Sequence, residues 1–345
     1  MFQRLIKNDL KENKVSMLVI GLFLLLTLTL SFAATRLTVS LTSSIERFVE
    51  TAKSPHLLQM HSGSVDRERL QNFVQQYPEI ASWQLTDFVN VEGSAIRING
   101  QDSLQDSSQD NGFSSQNQNF DFLLDQDNQP AQPRPGQVYI PLYYYNSGKI
   151  KIGDQIRVGK LQLTVQGFIR DAQMNASLVS SKRFLISQTD LQILKTEAFA
   201  SNENLIAFRV HKLSQISTIE QAYKNAELES NGPPMITYPT IKMINGFNDA
   251  LVILVMGLLV MAIIGMTFLC MRFALLTKIQ EDLQQIAVMK VMGLPQSFIS
   301  RVYLTKYYFC LALATIAGWG LSFLLSSPFK KQMALSMGQS PTPFY

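Results

Sequence analysis

Three histidines, two cysteines and a run of aspartates are the residues here best suited to chemistry, and their spacing argues against it. His56, His61 and His211 have neither metal-ligand spacing nor a Ser or Cys partner pattern for nucleophilic catalysis. Cys270 and Cys310 lie within or at the edge of apolar runs, where a thiol packs as a small apolar side chain. Asp102, Asp106, Asp110, Asp121, Asp125 and Asp127 invite calcium but lack the glycine and terminal glutamate of an EF-hand loop. There is no G-x-x-x-x-G-K-[ST] phosphate loop. The sequence predicts no catalytic residue, cofactor or metal, so energy for any work must come from a partner.

The elements that would do such work are apolar. Of the 345 residues 46% are hydrophobic and 16% charged, low in charge for a soluble protein of this size. The apolar residues gather in Val15–Ala34, Ala250–Leu276 and Val302–Leu325. Each block has about 20 residues or more, enough to cross a hydrocarbon core of ~30 Å. The first is too long for a signal-peptide core and reads as a retained anchor. Arg4, Lys7, Lys11 and Lys14 precede it, and Arg272, Lys278, Lys290, Arg301 and Lys306 stand between the second and third. Such clusters face the cytoplasm, which puts the large middle segment outside. Lys330 and Lys331 are a mild exception. The formal charge of +4 divides accordingly: residues 41–245 hold 18 basic and 21 acidic side chains, so the basic excess lies near the membrane ends. It suits anionic lipid on the inner leaflet and gives no sign of nucleic-acid binding.

The expected fold class is an α-helical transmembrane protein with an α+β extracytoplasmic domain. Residues 1–14 read as a cytoplasmic amphipathic helix, with Phe2, Leu5, Ile6 and Leu10 on one face. The first span covers 15–36 and continues outward as a helical stalk ended by Pro55. The outer domain covers 37–243. Its strands are expected near 56–61, 82–99, 138–141, 155–158, 161–169, 184–186 and 205–211, and its helices over 65–76, 190–195 and 217–228. Leu161, Leu163 and Val165 alternate with polar neighbours, which predicts a strand with one buried face. Residues 100–136, rich in Gln, Asp, Ser and Asn, read as a disordered, exposed insertion unable to bury enough surface to offset ordering entropy. The second span is expected over 244–277, a cytoplasmic loop over 278–301, the third span over 302–327 and an outer tail over 328–345.

Within the loop, Ile279, Leu283, Ile286, Met289 and Val291 recur at helix-like intervals, and Gln280, Glu281, Asp282, Gln284 and Gln285 make the other face. Gly293 supplies a stop and Pro295 suits the start of a new helix. A short two-faced helix can lie in a partner's groove. An ordinary connector between spans is the alternative, though it would need only a few polar residues.

These residues resemble a known family. Glu281–Gly293, with Ile286-Ala287-Val288-Met289-Lys290-Val291-Met292-Gly293, is similar to the signature E-x-x-x-x-I-G-x-L-K-A-x-G of FtsX/MacB-like ABC transporter permeases. Ala287 stands for the usual Gly and Met289 for the usual Leu. Ile152-Gly153-Asp154-Gln155-Ile156 and Val165-Gln166-Gly167-Phe168-Ile169-Arg170-Asp171 resemble two strands of the MacB-like extracytoplasmic core domain. The resemblance implies a permease without enzymatic activity in a bacterial cell membrane. Glu281, Leu283, Ile286, Met289, Lys290, Gly293 and Pro295 would then contact a separate ATP-binding cassette subunit. It further implies a second permease copy or paralogue, and movement of the outer domain to export or extract a peptide, lipid or antimicrobial compound. An FtsX-type regulator of an extracellular cell-wall enzyme is the implied alternative. A membrane sensor fits less well, because no signalling domain follows the second span. Family members carry a fourth span, so the resemblance also implies that this sequence is a fragment, a truncated product or the front half of a duplicated permease.

Overall fold

An apolar run with no breaker forms one helix for as long as its surroundings allow, and the first such run here extends well beyond a bilayer's thickness. The computed structural model describes residues 14–338 except 101, 177 and 294. Helix α1 (Lys14–Thr51) leads to β1 (Leu57–Ser62), α2 (Arg67–Gln76), β2 (Ile80–Val91), β3 (Ile96–Ile98), β4 (Asp102–Ser103) and β5 (Asp110–Ser114). Next come β6 (Gln137–Pro141), α3 (Leu142–Asn146), β7 (Gln155–Val158), β8 (Leu161–Ile169), β9 (Ser181–Ile186), α4 (Gln188–Leu194), β10 (Ala200–Val210), α5 (Ile216–Asn225) and β11 (Ile236–Thr237). Helices α6 (Tyr238–Glu281), α7 (Leu283–Val291) and α8 (Gln296–Met337) complete the order.

Among the described residues three helices are long and apolar enough to cross a membrane, over Leu18–Thr51, Tyr238–Glu281 and Tyr307–Met337. With 44 residues, α6 is about 66 Å long, roughly twice the hydrocarbon thickness. The chain divides into two compact units: Met1–Leu41 with Asn248–Gln332, and Thr42–Phe247 with Met333–Tyr345. In the first, Gly318 of α8 meets α1 so closely that a Cβ there would lie 3.1 Å from Thr29 N. The Arg36 guanidinium lies 3.4 Å over the Phe323 ring. Leu254, Leu258, Phe268 and Phe273 of α6 are all more than half exposed. Water would penalise such a surface and lipid accepts it.

The second unit is built on one sheet, ordered β11-β1-β10-β2-β5-β9-β6-β8-β7-β3-β4. The pairs β5–β9 and β6–β8 are parallel and the other ladders antiparallel. Along β8, Leu161, Leu163 and Val165 are buried between more exposed neighbours, as their alternation predicts. Leu70 and Phe73 of α2 and Ile219 and Tyr223 of α5 cover Leu57 and Phe208 of the sheet. Asp66 caps α2 by accepting a hydrogen bond from Arg69 N at 3.1 Å. A second core under β6, β8 and β9 holds Val138, Ile140, Val165, Phe184 and Leu191.

The structure corrects three expectations. Pro55 does not stop α1. Lys53 does, at φ +45°, with Ser54 N donating to Val49 O (2.9 Å) and Lys53 N to Glu50 O (3.0 Å). This is a left-handed cap that satisfies the last carbonyls. Nor are residues 100–136 a disordered insertion. β5 lies in the middle of the sheet between β2 and β9. Leu104, Phe113, Phe120, Leu123, Leu124 and Ala131 are buried. The polar residues that suggested disorder serve the backbone instead. Gln116 Nε2 donates to Leu123 O (2.8 Å) and Ala131 O (3.1 Å), and its Oε1 accepts from Leu123 N (3.0 Å). Finally, the tail expected from 328 continues as helix to Met337 with Pro328 inside it. Met333 and Met337 are buried, and that packing offsets the backbone bond that proline cannot make. The expected amphipathic helix over 1–14 falls outside the described residues, Lys14 excepted, as does 339–345 of the tail.

His56 supplies a testable pH dependence. Its Nδ1 accepts from Val210 N at 3.0 Å and its ring stands edge-on to Tyr238. Burial and then the Arg209 charge pull its pKa down from 6.5 to about 4. The neutral ring therefore stabilises the fold fully above pH 6.5, and that contribution is lost as pH falls toward 4. The loss reaches about 2–3 kcal/mol. Urea midpoints at pH 7 and pH 4.5 should differ less in His56→Asn, which keeps an acceptor for Val210, than in the native chain.

Candidate functional site

The helical rhythm read between residues 279 and 291 belongs to two helices joined at a corner. α6 runs without a break to Glu281, Asp282 makes the turn, and α7 starts at Leu283. Ile286 N donates to Asp282 O at 2.9 Å, which seats the first turn of α7 on the corner. At the far end Met292 N donates to Val288 O and Gly293 N to Lys290 O, both 3.0 Å. Gly293 then takes φ +78°, a left-handed conformation that side chains resist. Pro295 stands just before α8, outside its first turn.

The candidate residues are distributed as follows. Glu281, Leu283, Lys290, Gly293 and Pro295 are exposed, and Ile286 is half-buried. Met289 lies within α7. Leu283 is 58% exposed, Val288 58% and Val291 89%. At about 100° per residue these three fall within an arc of about 140°. The spacing had grouped Ile286 with Leu283, whereas Val288 joins the exposed aliphatic surface instead. An aliphatic surface on a helix of nine residues, with Lys290 beside it, offers packing and no reaction chemistry.

Among the described residues no group of three or more His, Cys, Asp or Glu side chains could hold a metal ion. Sequence reasoning missed a buried charge cluster in the sheet unit. Arg183 of β9 is fully buried. Its Nη1 donates to Asp121 Oδ2 at 3.1 Å, and its Nη2 to Asp171 Oδ1 at 3.3 Å and Gln173 Oε1 at 3.1 Å. Its Nε lies 2.8 Å from Asp171 Oδ2 as an ion pair without a straight hydrogen bond. Gln173 Nε2 closes the cluster by donating to Asp121 Oδ1. Burial pushes the Asp121 carboxyl above its ordinary range, against the pull of Arg183. Burial also works against the Arg183 charge, but the carboxylates of Asp171 and Asp121 outweigh it and hold the guanidinium up. Next to it, Lys182 Nζ donates to the carbonyls of Met174, Ala176 and Val179. Desolvation lowers that ammonium to about 8. One sequence signal pointed here: Arg170-Asp171 ends a strand whose other positions are largely buried, so its charges required partners.

No curated protein matches the sequence. Among solved structures, the periplasmic region of MacB from Actinobacillus actinomycetemcomitans is similar at 10% identity and TM-score 0.30, over 56% of this chain and 94% of that one. The extracellular domain of the ABC-type transporter YknZ from Gram-positive bacteria is similar at 11% identity and TM-score 0.29, over 52% of this chain and 98% of that one. Likeness this low bears on no residue's role. Residues 255–345 match the family model described as FtsX-like permease C-terminal. That window contains most of α6 and all of α7 and α8, so the α6–α8 joint lies within the stretch that is similar to this family.

Proposed function

We propose that this chain is the permease subunit of an ABC transporter, and that α7 is the surface its ATP-binding subunit grips. One observation carries the reading: a nine-residue helix with Leu283, Val288 and Val291 exposed, set between two helices able to cross a membrane. Lys and Arg gather around it at 272, 278, 290, 301 and 306, which favours the cytoplasmic side and so water, not lipid, around those aliphatic groups. An aliphatic patch in water at such a place calls for a protein partner. ATP binding in two such partners would shift α7, and α6 and α8, as stiff rods, would carry the shift to the sheet unit outside. A second permease copy or paralogue would complete the assembly, with membrane lipid around the spans. The work done would be export or extraction of a peptide, lipid or antimicrobial compound.

Burying one valine contributes about 1.5 kcal/mol or more, which is about tenfold in affinity. Aspartate at Val291 or Met289 also adds a charge to be desolvated, and Gly293→Asp strains the stop. Each is expected to cut stimulated ATP hydrolysis by a co-expressed ATP-binding subunit at least tenfold, with unchanged membrane insertion. Full stimulation and co-purification in all three variants would refute the docking role.

A further inference from the structure

The parts of the three long helices that belong to the sheet unit are all bonded to two neighbouring stretches, 121–128 and 170–175. At the end of α1, Phe122 N donates to Ala52 O at 2.7 Å and Asp121 N to Lys53 O at 3.0 Å. The first stretch then pairs with the end of β8: Arg170 N donates to Leu124 O (2.7 Å) and Leu124 N to Arg170 O (3.1 Å). The Arg170 side chain reaches both ways. Its Nη1 donates to Asp125 O (2.7 Å) and Asn128 Oδ1 (2.8 Å), while its Nε donates to Leu335 O (2.7 Å) in the last turn of α8. Asn175 Nδ2 adds a bond to Ser336 O at 3.0 Å. A cation at the carbonyl end of a helix is favourably placed. Near the start of α6, Asn245 Nδ2 donates to Ala172 O at 2.5 Å.

These attachments share groups. Asp121 holds α1 through its backbone and Arg183 through its carboxylate. Asp171 and Gln173 hold Arg183 on either side of Ala172, the residue that takes Asn245. Arg170 holds the first stretch and α8 at once. In a low-dielectric interior, bonds that share partners reinforce one another. We infer that the two stretches form one polar collar, with Arg170 and Arg183 as its positioning residues. It ties the ends of α1, α6 and α8 that belong to the sheet unit to one another and to the sheet as a cooperative set. Displacement of any one helix end then reaches the sheet through the collar and is felt by the other two. The use of the collar to move the outer domain rests on the permease reading above. Its cooperativity does not.

Native-state hydrogen exchange on the full chain in lipid nanodiscs tests this without nucleotide or partner. Asn245→Ala removes only the side-chain bond between α6 and Ala172, and Arg170→Ala removes the bond to Leu335 of α8 together with the side-chain bonds to Asp125 and Asn128, leaving Asn175 on Ser336. In Asn245→Ala, exchange is expected to rise about tenfold at Ala52, Lys53, Ser54 and Phe122, and at Gly338 beyond α8, with α5 unaffected. In Arg170→Ala the rise should reach Ala52–Ser54 as well as Gly338. If each change raises exchange only at its own helix end, the attachments are independent and the collar is wrong. Should Arg170→Ala fail to fold, Asn245→Ala decides alone. Independent attachments alongside intact ATPase stimulation would overturn the collar and leave the permease reading standing. A cooperative collar with no ATPase partner would do the reverse.

Discussion

Methionine in place of Arg183 is expected to lower the stability of the sheet unit by about 3–5 kcal/mol, the cost of leaving buried carboxylates without their counter-ion. The side chains of Asp121 and Asp171 are 4% and 5% exposed, so water cannot replace the guanidinium. The loss should depend on pH in a defined direction. Burial already pushes the Asp121 carboxyl up, and without the opposing pull of Arg183 it rises further above its unfolded value. The variant is then least impaired below about pH 4, where Asp121 is protonated in both states, and loses stability as pH rises through the raised folded value. Urea unfolding at pH 5 and pH 8 should show the larger deficit at pH 8. Replacing Asp121 and Asp171 by leucine in the same variant should restore much of the stability, because an apolar cluster of similar volume is often as stable as a buried ionic one. Equal midpoints for Arg183→Met and the native chain would show that the cluster is not a charge-balanced unit.

Alanine at Gly112 is expected to cost about 3 kcal/mol, at the upper end for overpacking one methyl. Gly112 lies on β5, in register with Asn90 of β2 and Arg183 of β9. A Cβ there would lie 1.8 Å from Phe88 Cζ and 2.3 Å from both Cε atoms. Phe88 is 1% exposed and packs with Leu58, Phe120, Met174, Leu205 and Ala207, so its ring has no free space to swing into. The strained contact is mutual, which supplies the check. Phe88→Leu alone leaves a cavity, but combined with Gly112→Ala it should cost less than the two single changes added together. Simple additivity would mean that the methyl is accommodated elsewhere.

Both predictions concern a region whose order was not legible in the sequence. Disorder is inferred from how little apolar surface a stretch can bury by itself. Residues 100–136 escape that rule because β5 is completed by β2 on one side and β9 on the other, strands about 20 and 70 residues away along the chain. Gln116 and Asn117 then satisfy nearby backbone and carboxylate groups that would otherwise stay with water. The same holds at the joint. Spacing located α7 and its stop at Gly293, but it paired Ile286 with Leu283. Exposure of Val288 in place of Ile286 depends on which side of α7 the neighbouring chain occupies, and periodicity does not carry that.

By itself the sequence determined what local pattern can determine. Three apolar runs made helices long enough to cross a membrane, alternation at 161–165 made a buried-face strand, and glycine and proline at 293 and 295 broke the loop. Only the tertiary structure decided which charges are interior and where the helices end. Arg183, Asp121 and Asp171 lie in separate segments, and nothing in the spacing of one names the others. Pro328 reads as a boundary until Met333, Leu335 and Met337 find a packed surface beyond it. Local signals act over a few residues through backbone geometry and side-chain period. Burial and ion pairing are settled by whichever distant segment arrives, and they can outweigh the local preference once it does.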